Sequence, residues 1–210
     1  MLIVGVTGGI GVGKSTVSYL LGERGAVVID VDGLGREIIA PGGRAVAAVV
    51  SRFGERVRGA DGGIDRAGLA SIVFGDEGQL AALNEISHPI INELLDEAVD
   101  AALVEHDPAG LVVIFDMAIL VESMLGQETR HPYEVVVTVE APLEIRLDRL
   151  EGRGMERSDA AARIDSQTSD EERRAVAQFV VGNGGDLDQL RVAVDQLWDQ
   201  LVELNAEREA

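Results

Sequence analysis

The 210-residue sequence predicts a three-layer α/β/α fold around a five-stranded parallel sheet. Three observations carry the prediction. Five short runs, LIVGVT (2–7), AVVID (26–30), LVVIFD (111–116), EVVVTVEA (134–141) and QFVVGN (178–183), are apolar along much of their length rather than alternating, as strands covered on both faces are. Segments of helical periodicity separate them. The first run leads directly into GGIGVGKST (8–16), a glycine-rich turn at a strand-to-helix junction.

Taken in order, LIVGVT is a buried strand, and STVSYLLGERG (15–25) is a helix closed by Gly25. AVVID follows at once, as a right-handed βαβ unit requires. The next strand signal is LVVIFD, about 80 residues further on. The stretch between, from VDGLGREII through EGQLAALNEISHPIINELLDEAVDAALVEH, reads as several helices punctuated by Gly42-Gly43 and Asp61-Gly62-Gly63. It is too long for a simple crossover. It is read as a helical substrate-binding insertion, with a purely structural insertion as the other reading. After EVVVTVEA comes a helix over 142–150 with Pro142 at its start. EGRGMERSD interrupts the pattern and DAAARIDSQ resumes it, placing Arg146, Arg149, Arg153, Arg157 and Arg163 in one helix–loop–helix. A lid that closes on phosphates has this composition, and so does a solvated, charge-mixed hairpin. In the last segment Leu187, Leu190, Val194, Leu197 and Leu201 recur at helical spacing, and NAEREA is expected to fray. The expected organisation is a core of residues 1–32 and 107–210, with a lid at about 150–165 and the insertion over 33–106.

The chemistry starts at Lys14, the only lysine in the chain. Gly8-x4-Gly13-Lys14-Ser15 is a complete P-loop pattern, and Gly11, Val12, Gly13, Lys14, Ser15 and Thr16 are the expected nucleotide-binding residues. Small residues let backbone N–H groups face an anion, and the following helix contributes its positive end. Lysine supplies a compact charge that fits between phosphates where the flat arginine fork does not. Ser15 is placed to put a hydroxyl on Mg²⁺ bound to the phosphates. Asp30 and Asp32 stand at the carboxyl end of the second strand, where open sheets bind ligands. Asp32 there either reaches a substrate hydroxyl or caps the following helix. Asp116 ends the third strand and either orients Mg²⁺ through water or caps. His88, His106 and His131 have no zinc-ligand spacing.

Composition narrows the partners. A net charge of −19, from 37 acidic and 18 basic residues, argues against a nucleic-acid surface and against an anionic membrane surface. Any phosphorylated substrate must be held by local positive groups. There is no cysteine, no secretory leader pattern and no apolar run of membrane-spanning length, so a cytoplasmic monomer acting on small molecules is expected.

Nearly the whole chain resembles the dephospho-coenzyme A kinases. GVTGGIGVGKSTV is similar to the opening of that family, VIDVDGLGREIIAPGG to its IDAD-x-x-x-R and P-G turn, and FGDEGQLAALNEISHPII to its HP-I segment. FDMAILVES stands where the family has an apolar run into P-L-L-x-E. RLEGRGMERSDAAARIDSQTSDEERRAVAQFVVGNGG resembles its lid, its R-I-x-x-Q helix and its D-N-x-G strand end. Two positions depart: Ala118 stands where the family has proline, and Gly182 where it has aspartate before Asn183. The resemblance implies a P-loop kinase of the nucleoside-monophosphate-kinase type that moves phosphate from ATP, with Mg²⁺, to the ribose 3′-hydroxyl of dephospho-CoA. It implies that Gly11 to Thr16 hold ATP and that Asp32 orients or deprotonates the hydroxyl. It further implies that Arg153 stabilises the transferring charge and that the insertion holds the dephospho-CoA body, with His88 near it or capping before Pro89. A P-loop kinase for another small acceptor is the alternative. A guanine-type switch is disfavoured, because NKxD needs a second lysine.

Overall fold

The computed structural model describes residues 1–73, 75–121, 123 and 125–209, and its five apolar runs form one sheet. The strands are β1 (Leu2–Thr7), β2 (Val27–Asp30), β3 (Val112–Asp116), β4 (Val135–Glu140) and β5 (Phe179–Gly182). Their order is β2-β3-β1-β4-β5, and every pair is parallel. The central strands β1 and β3 are buried along their length, whereas β2 and β5 each expose two of four residues, as edge strands do.

The helices before β3 are α1 (Lys14–Glu23), α2 (Val31–Glu37), α3 (Val46–Phe53), α4 (Arg66–Val73) and α5 (Glu77–Glu105). After β4 come α6 (Leu143–Glu151), α7 (Arg157–Asp165) and α8 (Asp170–Val176), and after β5 comes α9 (Leu187–Glu209). α1 and α9 cover the sheet. Val17, Leu20 and Leu21 of α1 and Leu190, Val194, Leu197 and Leu201 of α9 join the strand valines in one buried cluster, with Trp198 packed at its margin. Leu187 lies outside that stripe, half exposed at the start of α9.

The expected frayed tail is instead helical to Glu209. Asn205 accounts for it. Its side chain is buried, and its Nδ2 donates to the Leu111 carbonyl at 3.1 Å, tying the end of α9 to the start of β3. α8 is also absent from the expected elements. Its sequence signature is SDEE: Ser169 Oγ accepts the Glu172 N–H at 3.2 Å, and the Glu172 carboxylate accepts the Ser169 N–H at 2.9 Å, a capping box.

The chain forms two compact units, Met1–Asp30 with Ala98–Ala210, and Val31–Glu97. The second therefore begins and ends earlier than the 33–106 expected for the insertion. The remaining turns of α5, from Ala98 on, belong to the sheet-containing unit. Val31–Glu97 has its own buried side chains, among them Ile38, Val49, Phe53, Val57 and Leu95. A two-pronged ion pair within it joins Arg44 to Glu97 at 2.8 Å on both prongs. α5 continues through Pro89, which cannot donate the i→i−4 bond of its position. No helix among the described residues is long and apolar enough to cross a membrane.

Candidate active site

Because every strand is parallel, the carboxyl ends of all five lie along one edge of the sheet, and the loop after β1 leaves from that edge. Gly11 (φ 83°) and Gly13 (φ 93°) take left-handed backbone conformations that side chains with a Cβ resist, so the loop can curl into the start of α1. The N–H groups of Gly11, Gly13 and Ser15 meet no protein acceptor among the described residues. They are donors presented at a helix N-terminus, the arrangement that binds phosphate.

The Lys14 ammonium pairs with Asp116, the last residue of β3, where only 12 and 10% of the two side chains are exposed. Ser15 and Thr16 are exposed at the mouth of the loop. Ser15 and Asp116 line the same shallow cleft on α1. On the other side the loop, Ala118, Arg153 and Gln167 line a cleft of about 240 Å³. Next to it Gly13, Thr16, Arg149, Arg153, Asn183 and Asp186 contribute to a second cleft of about 400 Å³. Arg153 thus faces both, from the turn that follows α6.

The other arginines of this stretch have different employment. Arg157, at the start of α7, is taken up by Glu144, Asp148 and Glu151, one face of α6. The hydrogen bonds it donates to Asp148 and Glu151 push its guanidinium further above the usual arginine range. Ile10 of the loop packs with Leu147, Leu150, Ala160 and Ile164, so α6 and α7 share a small apolar core with the P-loop. Arg157→Ala is therefore expected to loosen α7 while leaving kcat within about threefold, since exposed ion pairs contribute roughly 0–1 kcal/mol each. Steady-state rates and proteolysis of the α6–α7 turn check this.

The dephospho-CoA kinase family model matches residues 2–189, which includes all five strands and α6 to α8. The chain belongs to the dephospho-CoA kinase family. Among its curated relatives, the dephospho-CoA kinase of Frankia casuarinae is 45% identical over 96% of this chain and 84% of that protein. The one from Thermobifida fusca is 41% identical over 96% of both chains, and that from Streptomyces avermitilis 46% over 96% and 95%. Among solved structures, TT1252 from Thermus thermophilus is 32% identical, with a TM-score of 0.73 over 95% of this chain and 97% of that one. A dephospho-CoA kinase structure from Campylobacter jejuni is similar in fold, with a TM-score of 0.66 at 22% identity over 97% and 98%.

For a dephospho-CoA kinase family chain, the residues picked out from sequence are distributed as follows. Gly11, Gly13, Lys14, Ser15, Thr16 and Arg153 come together at one cleft, and Lys14 meets Asp116 beside it, whereas the Val12 side chain is buried in the core and lines no part of that cleft. Asp32 is half-buried in the first turn of α2, within the Val31–Glu97 unit, two residues beyond the end of β2. It is inside the helix, not at its N-cap. Asp116 likewise is a strand residue, in register with Val6 of β1 and Asp30 of β2, so capping does not describe it. His88 lies in the interior of α5, which rules out the capping role before Pro89. His131 is engaged elsewhere, 3.2 Å from Asp100, which also binds Arg130. Glu122, in the FDMAILVES segment, lies outside the described residues.

The two departures from the family pattern are accommodated. Ala118 keeps its carbonyl on the Thr7 hydroxyl at 3.2 Å and lines the P-loop cleft. A Cβ at Gly182 would meet nothing within 4 Å, so nothing local demands glycine there. Asn183 is tied to the loop and to α6: its Nδ2 donates to the Val12 carbonyl at 2.7 Å, and its oxygens accept from Arg149 at 3.0 and 3.2 Å.

Sequence reasoning missed these side-chain contacts to the loop backbone. Arg149 Nη1 donates to Val12 O at 3.0 Å and to Gly11 O at 3.3 Å; Arg146 Nε donates to Ile10 O at 2.9 Å; and Gln167 Oε1 accepts from the Ile10 N–H at 2.7 Å. The glutamine of the R-I-x-x-Q pattern and the i, i+3 spacing of Arg146 and Arg149 were the available signals. Burial draws the Arg146 guanidinium below the ordinary arginine range, Asp170 opposes that, and neighbouring Arg173 adds to it. An arginine remains charged throughout.

Proposed function

We propose that this chain phosphorylates the ribose 3′-hydroxyl of dephospho-CoA with ATP, giving coenzyme A and ADP. The observation that carries the reading is the meeting of Lys14, the glycine-rich turn and Arg153 at one cleft, in a chain of the dephospho-CoA kinase family. The P-loop amides and Lys14 would hold the β- and γ-phosphates, and Arg153 would close on the group in flight. Catalysis in this arrangement is positioning and charge stabilisation. Asp32 would align the acceptor hydroxyl. The Val31–Glu97 unit, with His88 in it, would hold the dephospho-CoA body.

Among the described residues no three His, Cys, Asp or Glu side chains form a metal cluster. Mg²⁺ carried on nucleotide phosphates needs no such cage, only one or two hard oxygens. The Ser15 hydroxyl and the Asp116 carboxylate, lining one cleft, have that character. Mg²⁺ would neutralise phosphate charge there, while Lys14 gives up some of its hold on Asp116 to reach the nucleotide.

The direct test incubates the purified chain with ATP, Mg²⁺ and dephospho-CoA and follows ADP and coenzyme A. Formation of both in equal amounts, with the new phosphate on the ribose 3′ position, is expected. ADP release that does not depend on dephospho-CoA is hydrolysis and would sink the reading; turnover that appears only with a different small hydroxyl compound would favour another acceptor.

Arg153 has its own expected result. Arg153→Ala should lower kcat by roughly 10²-fold and raise the KM for ATP much less, because phosphoryl charge spreads onto the oxygens that a closing cation meets only in the transition state. Arg153→Lys, which keeps a point charge, should retain part of the rate. A raised KM with unchanged kcat would move the role to Arg149.

A further inference from the structure

A peptide unit is planar and trans, so its C=O and its N–H point in opposite directions. Whatever holds the carbonyl of one P-loop peptide from behind therefore aims the N–H of the next residue forwards. Two of the donors on the phosphate side, Gly11 N–H and Gly13 N–H, belong to the peptides whose carbonyls are Ile10 O and Val12 O. Both carbonyls are taken by side chains: Ile10 O by Arg146 Nε at 2.9 Å, Val12 O by Asn183 Nδ2 at 2.7 Å and Arg149 Nη1 at 3.0 Å.

Arg146 is the more unusual of these groups. It is 5% exposed, it sits on α6, and its charge is met by Asp170, the first residue of α8, at 3.2 Å. Space for it is made by Gly9, where a Cβ would stand 2.4 Å from Arg146 Nη2. Gln167 holds the N–H of the same Ile10 whose carbonyl Arg146 holds, so the residue is fixed from both ends. A buried cation on a carbonyl also polarises that peptide and strengthens its N–H as a donor.

We propose that Arg146 is a positioning residue for ATP: by holding the Ile10 carbonyl from behind the loop, it aims and strengthens the Gly11 N–H that receives phosphate. It touches no substrate. Its effect belongs to the nucleotide and not to the acceptor. The inference rests on the loop being the ATP phosphate site.

The experiment measures ATP binding by calorimetry, without acceptor, for the full chain and for Arg146→Met, Arg146→Gln and Asp170→Asn, at a temperature where melting curves show each folded. Steady-state KM values for ATP and dephospho-CoA are taken on the same samples. Arg146→Met should weaken ATP binding roughly tenfold to hundredfold, the loss of a hydrogen bond from a charged donor. The KM for ATP should rise by a larger factor than that for dephospho-CoA. Arg146→Gln keeps an amide donor and should recover part of the loss. Asp170→Asn keeps Arg146 but removes its counter-charge, and should weaken ATP binding at least threefold. ATP affinity within twofold of wild type in folded Arg146→Met, or equal losses for both substrates, overturns the proposal. If Arg146→Met does not fold, Asp170→Asn decides, with unchanged ATP affinity counting against it. A wild-type chain that binds no ATP refutes the phosphate-site reading itself, an outcome distinct from failure of Arg146.

Discussion

Lys14→Ala is expected to lower turnover by roughly 10²–10³-fold, the loss of one preorganised contact to developing charge. The ammonium is the one side-chain cation within the loop, and no other lysine exists in the chain to replace it. Lys14→Arg should also be poor, because a planar fork occupies the cradle differently from a point charge. The structure adds a second consequence. Lys14 pairs with Asp116, whose side chain is 10% exposed, so the alanine variant leaves a carboxylate with little water and a lost partner. Stability should fall by about 1–3 kcal/mol, the penalty for a buried polar group deprived of its hydrogen bond. Removing the carboxylate as well, in Lys14→Ala/Asp116→Ala, should return much of that stability and none of the turnover. Denaturant titration and coenzyme A formation, measured together, separate the two effects. Turnover within a few-fold of wild type for Lys14→Ala would rule this loop out as the phosphate site.

Asp32→Asn should lower coenzyme A formation by about 10²-fold or more, the range of general-base assistance, with ATP affinity little changed. A ribose hydroxyl is a poor nucleophile at neutral pH and needs an acceptor that aligns it with the γ-phosphate. In a loose transition state proton removal comes late, so orientation by a carboxylate matters more than its basicity. Asparagine keeps the size and loses the charge. Asp30 is the internal comparison. It ends β2, in register with Asp116 of β3, whereas Asp32 is in the first turn of α2. Asp30→Asn should do far less. Measuring both variants side by side for product formation and ATP binding decides it. An Asp30 variant more damaging than the Asp32 one would reverse the assignment.

The strands were legible because continuous burial has a direct signature. LIVGVT and LVVIFD carry almost no polar residue within the strand, and β1 and β3 are both interior strands of the sheet. The P-loop was legible because its residue types are demanded by local geometry: left-handed backbone at Gly11 and Gly13, then a lysine and a hydroxyl at the helix start. α8 went unread although its capping box was written in SDEE, since a seven-residue helix carries too few apolar positions to show a period. The tail was misjudged for a related reason. Polar composition suggested fraying, and only Asn205 meeting the Leu111 carbonyl, 94 residues away in the chain, keeps the end of α9 in place.

The sequence by itself determined the layers of this protein, the strands of its sheet, the phosphate loop and its lysine, and the family to which the chain belongs. Those features depend on local rules: periodicity, backbone conformations that require glycine, and the chemistry of one short motif. Only the tertiary structure decided that β3 lies beside β1, that Asp116 receives Lys14, and that Arg153 faces the clefts while Arg157 is held by acids on α6. It also decided that Arg146, Arg149 and Asn183 grip the loop from behind. The physical reason is that hydrophobic pattern reports how deeply a residue is buried and not what it is buried against. A hydrogen bond such as Arg146 to Ile10, between residues 136 positions apart, exists only once helix and loop have been packed together.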